Sequence, residues 1–246
     1  MKNLISLSLL AASLGAAGAG RLATPVAPAE NRPQTRSLTL PTAEGLVIEG
    51  AADVTLAEGS PQRIVVTGSA RQLNQLTANT QAGILHFHAP DNKAAWWQPW
   101  RPTERLQLTI TLPRLTQLRL AGTTSLTGLT RFTAPTLAVE LAGVGHLTLL
   151  VANTRTSVAI SGAGTVAMRG TTTTQQVSIQ GVGTYHGFGL LSAATTASLT
   201  GTGTEEVTAN QTLTATVAGI GTIRYRGRPA TRALHASGLG SVQASQ

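Results

Sequence analysis

A Gly-x-Gly step recurs through the second half of the chain: Gly143-Val-Gly145, Gly162-Ala-Gly164, Gly181-Val-Gly183, Gly201-Thr-Gly203, Gly219-Ile-Gly221 and Gly238-Leu-Gly240, with an imperfect copy, Gly122-Thr-Thr124, ahead of them. Successive first glycines stand 21, 19, 19, 20, 18 and 19 residues apart. A period near 20 is the mark of a solenoid, in which one short unit stacks on the next because none can bury its apolar face alone. The residues ahead of each step identify the unit. Two positions before the first glycine stand Leu120, Leu141, Ile160, Ile179, Leu199, Val217 and Ala236, and four positions before stand Leu118, Val139, Val158, Val177, Ala197, Ala215 and Leu234. Between these apolar columns come Arg119, Glu140, Ala159, Ser178, Ser198, Thr216 and His235. Alternation of period two is a strand with one face in and one face out. Identical columns in every copy require equivalent residues to lie over one another, as parallel strands.

The paired glycines are expected at the corners, where positive φ lets the chain turn without a Cβ clash. Three positions after the first glycine stand Ser125, His146, Thr165, Thr184, Thr204, Thr222 and Ser241, and small hydroxyls there are expected to bond the turn backbone. At about 4.8 Å per strand, seven coils make a rod of roughly 30 Å. A Gly-x-Gly pair also belongs to dinucleotide-binding turns, but those open a helix, and no copy here precedes one.

The expected fold is all-β: a parallel β-helix or solenoid with coils of about 19 residues over 116–246, preceded by a short-stranded β region over 37–115, the two forming one continuous domain. In the earlier region LVIEG, DVTLAEG, RIVVTG, GILHFHA and RLQLTITLP read as strands, and ARQLNQL, Ala70 to Leu76, as a short helical turn. Lys2, the apolar run Leu4 to Ala17 and the small residues Ala17-Gly18-Ala19 read as a signal peptide over 1–19. Residues 20–36, with Pro25, Pro28 and Pro33, read as a flexible leader. Export to the periplasm, the cell surface or beyond is expected, with no membrane-spanning segment after cleavage.

Composition narrows the chemistry. Only 11% of residues are charged, aromatics make up 3%, and there is no cysteine. Disulfides, thiolate metal sites and a lipoprotein anchor are therefore excluded. The net charge of +8 comes almost wholly from arginine. These arginines are scattered along the sequence without the dense, aromatic-interleaved patches of a nucleic-acid binder. His86 and His88 share a strand face but lack a third ligand at metal-binding spacing. The repeat half holds three carboxylates, Glu140, Glu205 and Glu206. Glu205 and Glu206 are adjacent and so point to opposite faces, and Glu140 lies three coils away, on the order of 14 Å. Paired-carboxylate glycoside chemistry is not supported. No catalytic residue, metal or cofactor is assigned.

One cluster carries a binding reading. Trp96, Trp97 and Trp100 sit in one loop with Arg101 and, just beyond, Arg105. Exposed indoles stack on sugar rings and anchor interfaces; alternatively the loop folds back and its aromatics cover the open end of the β region.

The segment VTANQTLTATVAGIGTIRYRGRPATRALHASGLGSV, with Tyr225, Arg226, Gly227, Pro229 and a final Gly-x-Gly, resembles the C-terminal part of the head GIN domain family of putative autotransporter adhesins. LVIEGAADVTLAEGSPQRIVVTGSARQLNQL is similar to the family's opening, so the resemblance covers about 37–243. It implies an exported bacterial β-helical protein with an adhesive role and no catalytic residues. The chain departs from the pattern in the two threonines of its first corner and in its basic surface. The expected function is that of a non-catalytic cell-envelope adhesion or interaction module whose partner is a surface glycan or an envelope protein. The rivals are binding of acidic glycans and a purely structural envelope role.

Overall fold

A computed structural model describes residues 33–90 and 105–245. The earlier region contributes β1 (Gln34–Leu38), β2 (Gly45–Glu58), β3 (Arg63–Gly68), α1 (Ala70–Gln75), β4 (Thr77–Gln81), β5 (Ile84–His88) and β6 (Leu106–Leu112). The repeats form three long strands, β7 (Gln117–Leu141), β8 (Val144–Ile160) and β9 (Ala163–Ile179). Later coils are each split in two: β10 (Val182–His186) with β11 (Leu190–Leu199), β12 (Thr202–Thr208) with β13 (Thr212–Val217), and β14 (Ile220–Arg226) with β15 (Thr231–Ala236). The short β16 (Ser241–Ala244) follows.

The repeats stack in parallel and in register. Gly145, Gly164, Gly183, Gly203 and Gly221 lie over one another through successive strand pairings. The two apolar columns are buried from Leu118 and Leu120 through Ala215 and Val217. Burial of each such aliphatic side chain contributes about 1.5–3 kcal/mol, so the columns are the main source of cohesion between coils. Only the last coil departs from this: Leu234 is 41% exposed and Ala236 is open to solvent.

The corner glycines are required for two reasons, a positive φ at some positions and a close approach at the others. Positive φ occurs at Gly122 (103°), at Gly238 (76°) and at the second glycines Gly164 (158°), Gly203 (153°) and Gly221 (154°), but not at the first glycines Gly143, Gly162, Gly181, Gly201 and Gly219. What excludes a side chain there is the layer beneath. A Cβ on Gly143 would overlap the carbonyl oxygen of Gly122, one on Gly162 that of Gly143, one on Gly181 that of Gly162, and so on through Gly201 and Gly219. The second glycines face the same obstacle, Gly145 against Thr124 O and Gly164 against Gly145 O. The main chain thus packs directly on main chain at this corner. The hydroxyl column is also placed differently from expectation. It forms a part-exposed outer row in which Thr222 and Ser241 share a hydrogen bond of 3.3 Å across layers. Among the described residues none of that column bonds the turn backbone.

The solenoid begins earlier than the repeats indicate. β2 pairs in parallel with β7 above it, Leu46 over Leu118, Ile48 over Leu120 and Gly50 over Gly122. β5 and β6 pair in parallel with the two halves of β2 and form the layer on its other side. The short-stranded region is therefore further solenoid, with its layers out of chain order. Antiparallel additions close this end: β1 pairs with β3 and β3 with β6, while β4 pairs with β5. β1 starts at Gln34, inside the stretch read as a leader. The helical turn is α1, held by a capping box between Ser69 and Gln72.

Each coil has a second corner opposite the glycine steps, where β10 passes into β11 at Gly187–Gly189 and β14 into β15 at Gly227. Gly170 bends β9 there with φ 115°, and a Cβ on it would overlap Val151 O. The interior next to this corner is polar. Thr156 donates to Thr172 (3.2 Å), Gln175 Nε2 donates to Tyr185 Oη (2.6 Å), and Ser192 donates to Thr208 O (2.6 Å). Tyr185, Glu205 and Ile223 occupy one inward column. Glu205 is fully buried, and neither of its carboxyl oxygens has a hydrogen-bond partner among the described residues. Burial lifts its carboxyl to about 8, and the Ile179 main chain offsets this only in part. Burial likewise pushes the Tyr185 phenol above its ordinary range, so both groups stay neutral at pH 7.

Two outcomes follow for stability. Gly181→Ala should cost about 2–4 kcal/mol in denaturant unfolding, because its Cβ meets a fixed carbonyl, whereas Val182→Ala beside it, 62% exposed, should stay within about 0.5 kcal/mol. Glu205 gives a pH dependence. Its folded carboxyl holds a proton between pH 4.5 and about 8 that the unfolded chain has released, so stability falls as pH rises through that window. The loss amounts to something on the order of 5 kcal/mol above it. Glu205→Gln should therefore melt near the parent at pH 4 and well above it at pH 9; equal shifts at both values would exclude a proton-linked cost.

Candidate interaction surfaces

A solenoid presents its outward columns as flat, ruled faces, and any function of the rod is carried by what stands on them. One face holds the column from Arg119 to His235 and the neighbouring Gln117, Ala138, Ser157 and Gln176. A shallow groove of about 260 Å³ crosses it, lined by Arg119, Glu140, Ser157, Gln176 and Ser178. Arg119 and Glu140 close on each other across it at 2.9 Å. The second face carries the hydroxyl row from Ser125 to Ser241 and, beside it, Thr127, Thr148, Ala167, His186, Glu206 and Arg224 in register. His186 and Glu206 pair at 2.7 Å. Glu206 thus faces outward and Glu205 inward, as strand alternation requires.

Between these faces the glycine corner projects an apolar rib. The middle residues of the steps, Val144, Val182 and Ile220, are exposed and aligned. Along the second corner the arginines gather. Arg131, Leu150 and Arg169 occupy one column of successive layers. Arg169 packs beside Gly189, and Arg226 lies over the neighbouring Phe188 ring at 4.2 Å to the centroid. Arg131, Arg169 and Arg226, far apart in sequence, therefore lie along one corner of the rod. Arg131 and Arg169 are 38 residues apart, two coil periods, which places them about 10 Å apart on one edge. Reading the coil period onto the arginines as well as the glycines is the signal that finds this edge.

Of the residues read as a binding loop, Trp96, Trp97, Trp100 and Arg101 lie outside the described residues. Arg105 is held by Asp53 at 2.8 Å and is part-buried, so its charge is already partnered. His88 pairs with Glu49 at 3.3 Å, and His86 stands apart from that pair on its own column over Val47. Among the described residues no three of His, Asp and Glu cluster as metal ligands. Glu44, Glu49, Asp53, Glu140 and Glu206 each lie within ion-pair distance of an arginine or histidine on a neighbouring strand or coil. Their chemistry is that of cross-layer ties on a polar surface. No helix among the described residues is long and apolar enough to cross a membrane.

Comparison with known proteins agrees with this architecture. No curated protein matches the chain in sequence. Among solved structures it is similar to a putative adhesin from Bacteroides fragilis NCTC 9343, with a TM-score of 0.78 and 20% identity over 87% of this chain and 97% of that one. A putative lipid binding protein from Parabacteroides distasonis ATCC 8503 superposes with a TM-score of 0.62 at 17% identity, again over 87% and 97% of the two chains. A putative adhesin from Parabacteroides merdae ATCC 43184 gives 0.61 at 16% identity over the same shares. At these identities the likeness is one of fold. The family model described as "Putative auto-transporter adhesin, head GIN domain" matches residues 44–229, from the first solenoid strand to the last complete coils, and the chain belongs to that family.

Proposed function

We propose that this chain is an exported, non-catalytic module of the bacterial cell envelope, periplasmic or surface-exposed, that makes adhesive or scaffolding contacts through the outside of its rod. The observation that carries this reading is the combination of adhesin-family membership with a surface built as repeated polar rows whose carboxylates are engaged in cross-layer ties. Such a surface offers extended contact area and no converging acid, base and nucleophile. The sequence of residues 1–19 supports export.

A second reading is favoured by the arginine edge. Arg131, Arg169 and Arg226, interleaved with Leu150 and Phe188, suit an acidic glycan, whose carboxylates or sulfates accept from guanidinium forks while its ring faces lie on apolar groups. The tryptophans at 96, 97 and 100 supply stacking surfaces for the same class of ligand.

Binding of the signal-free chain to whole cells and to an array of neutral, uronate and sulfated glycans tests both. The adhesive reading expects saturable retention on cells. The glycan reading expects uronate or sulfated ligands to be selected, and Arg169→Ala with Arg226→Ala to weaken them about tenfold or more and to flatten their salt dependence. Replacing all three tryptophans by alanine should weaken binding if the loop takes part. Unchanged binding in that variant removes the loop from the site, and no retention on any cell or glycan surface contradicts both readings.

A further inference from the structure

The two ends of the rod are unlike. Antiparallel strands and α1 close the end at β5 and β6, whereas the last coil carries no such cover among the described residues. β15 pairs only with β13, and β16 only with β14. Thr231 and Ser237 turn their N–H groups back to Gln211 O and Val217 O of the coil beneath. Alternation along a parallel ladder then directs the N–H and C=O of Arg232, Leu234 and Ala236 outward. An edge of this kind is a template for another strand.

The side chains at this edge specify which strand. Arg232, Leu234 and Ala236 stand in inward columns, over Leu213, Ala215 and Val217. Leu234 and Ala236 leave the aliphatic core open at its end, and Leu239 in the adjoining step is 82% exposed. Arg232 puts a guanidinium where the coils beneath have Leu213, Thr195, Gln175 and Thr156, and among the described residues its one hydrogen bond is to the Tyr225 hydroxyl, at 3.4 Å. Residues 207–246 contain Arg224, Arg226, Arg228 and Arg232 and no aspartate or glutamate. Two copies meeting at this end would face each other with arginines and no carboxylate from residues 207–246, so self-pairing is opposed by charge.

From this we infer that the open coil is a docking edge for an extended acidic segment of a partner polypeptide, added in parallel along β15. The segment carries a carboxylate over Arg232 and apolar residues over Leu234 and Ala236, the pattern acidic-x-apolar-x-apolar. Main-chain hydrogen bonds supply the affinity, and the alternate side chains supply the selection. An anionic glycan satisfies the charge but neither the ladder nor the apolar columns, which is why a polypeptide is favoured. The site uses Arg232, Leu234 and Ala236 and none of Arg131, Arg169 and Arg226, so it stands or falls independently of the glycan reading.

The probe is a fluorescent peptide, Thr-Glu-Thr-Val-Thr-Val-Gly, titrated with the full chain, alongside the same peptide with lysine in place of glutamate. The acidic peptide should bind saturably and slow amide exchange at Arg232, Leu234 and Ala236, and the lysine peptide should bind about tenfold or more weakly. Arg232→Glu should reverse that preference. Leu234→Pro removes an outward N–H while sparing the bonds to β13, and should abolish binding with melting little changed. Ala236→Asp, at an exposed position of the proposed apolar column, should also abolish binding of the acidic peptide and keeps the test open should the proline variant misfold. Equal binding of both peptides, binding that survives Leu234→Pro in a folded chain, displacement by heparin without amide protection, or a dimer in sedimentation that takes up no peptide would each overturn the proposal.

Discussion

The structure depends on one close approach: the main chain of each glycine corner rests on the carbonyl oxygens of the corner below. At Gly143, Gly162, Gly181, Gly201 and Gly219 that contact leaves no volume for even a methyl group. The approach fixes the layer spacing on one side of the rod and so the register of everything else. With the corners superposed, Ile160 lies over Leu141 and Ile179 over Ile160, and the aliphatic columns run on from coil to coil. Inward and outward residues alternate from the same origin, which sets Glu205 in the core and Glu206 on the surface.

Much of this was legible in the sequence because the constraint repeats. The glycine steps, the two apolar columns and the parallel stacking follow from spacing alone. What escaped has physical reasons. β2 fills the same columns with Leu46, Ile48 and Gly50, but its neighbours in the stack come from β5, β6 and β7, so no fixed period links it to the later copies. The second corner uses Gly170, Gly189 and Gly227 irregularly, and in β8 no glycine at all, so no column announces it. Positive φ, a local property, was expected at the corner and is met at the second glycines Gly164, Gly203 and Gly221, whereas the close approach at the first glycines exists only once layers are stacked.

The candidate surfaces were less legible than the fold. Arg131, Arg169 and Arg226 gather only after the coil period is applied to them, and the opening of the last coil at Leu234 depends on what does not cover it. The expected binding loop is reached by the described structure only at Arg105, which is tied to Asp53. Polar groups inside the rod, Gln175, Tyr185 and Glu205 among them, break the aliphatic pattern at a cost in stability. They mark the coils where the interior has departed furthest from what cohesion alone would select.

The central claim is that equivalent residues of successive coils form straight, evenly stepped rows. The chain has no cysteine, so spin labels can be placed in pairs without background. Labels at Ser125 with Thr204, Thr222 or Ser241 sit four, five and six layers apart in one outer row, and their pulsed-dipolar distances should rise evenly, near 19, 24 and 29 Å at about 4.8 Å per layer. Distances that fail to grow in equal steps, or that shorten between Thr204 and Ser241, would contradict the stack.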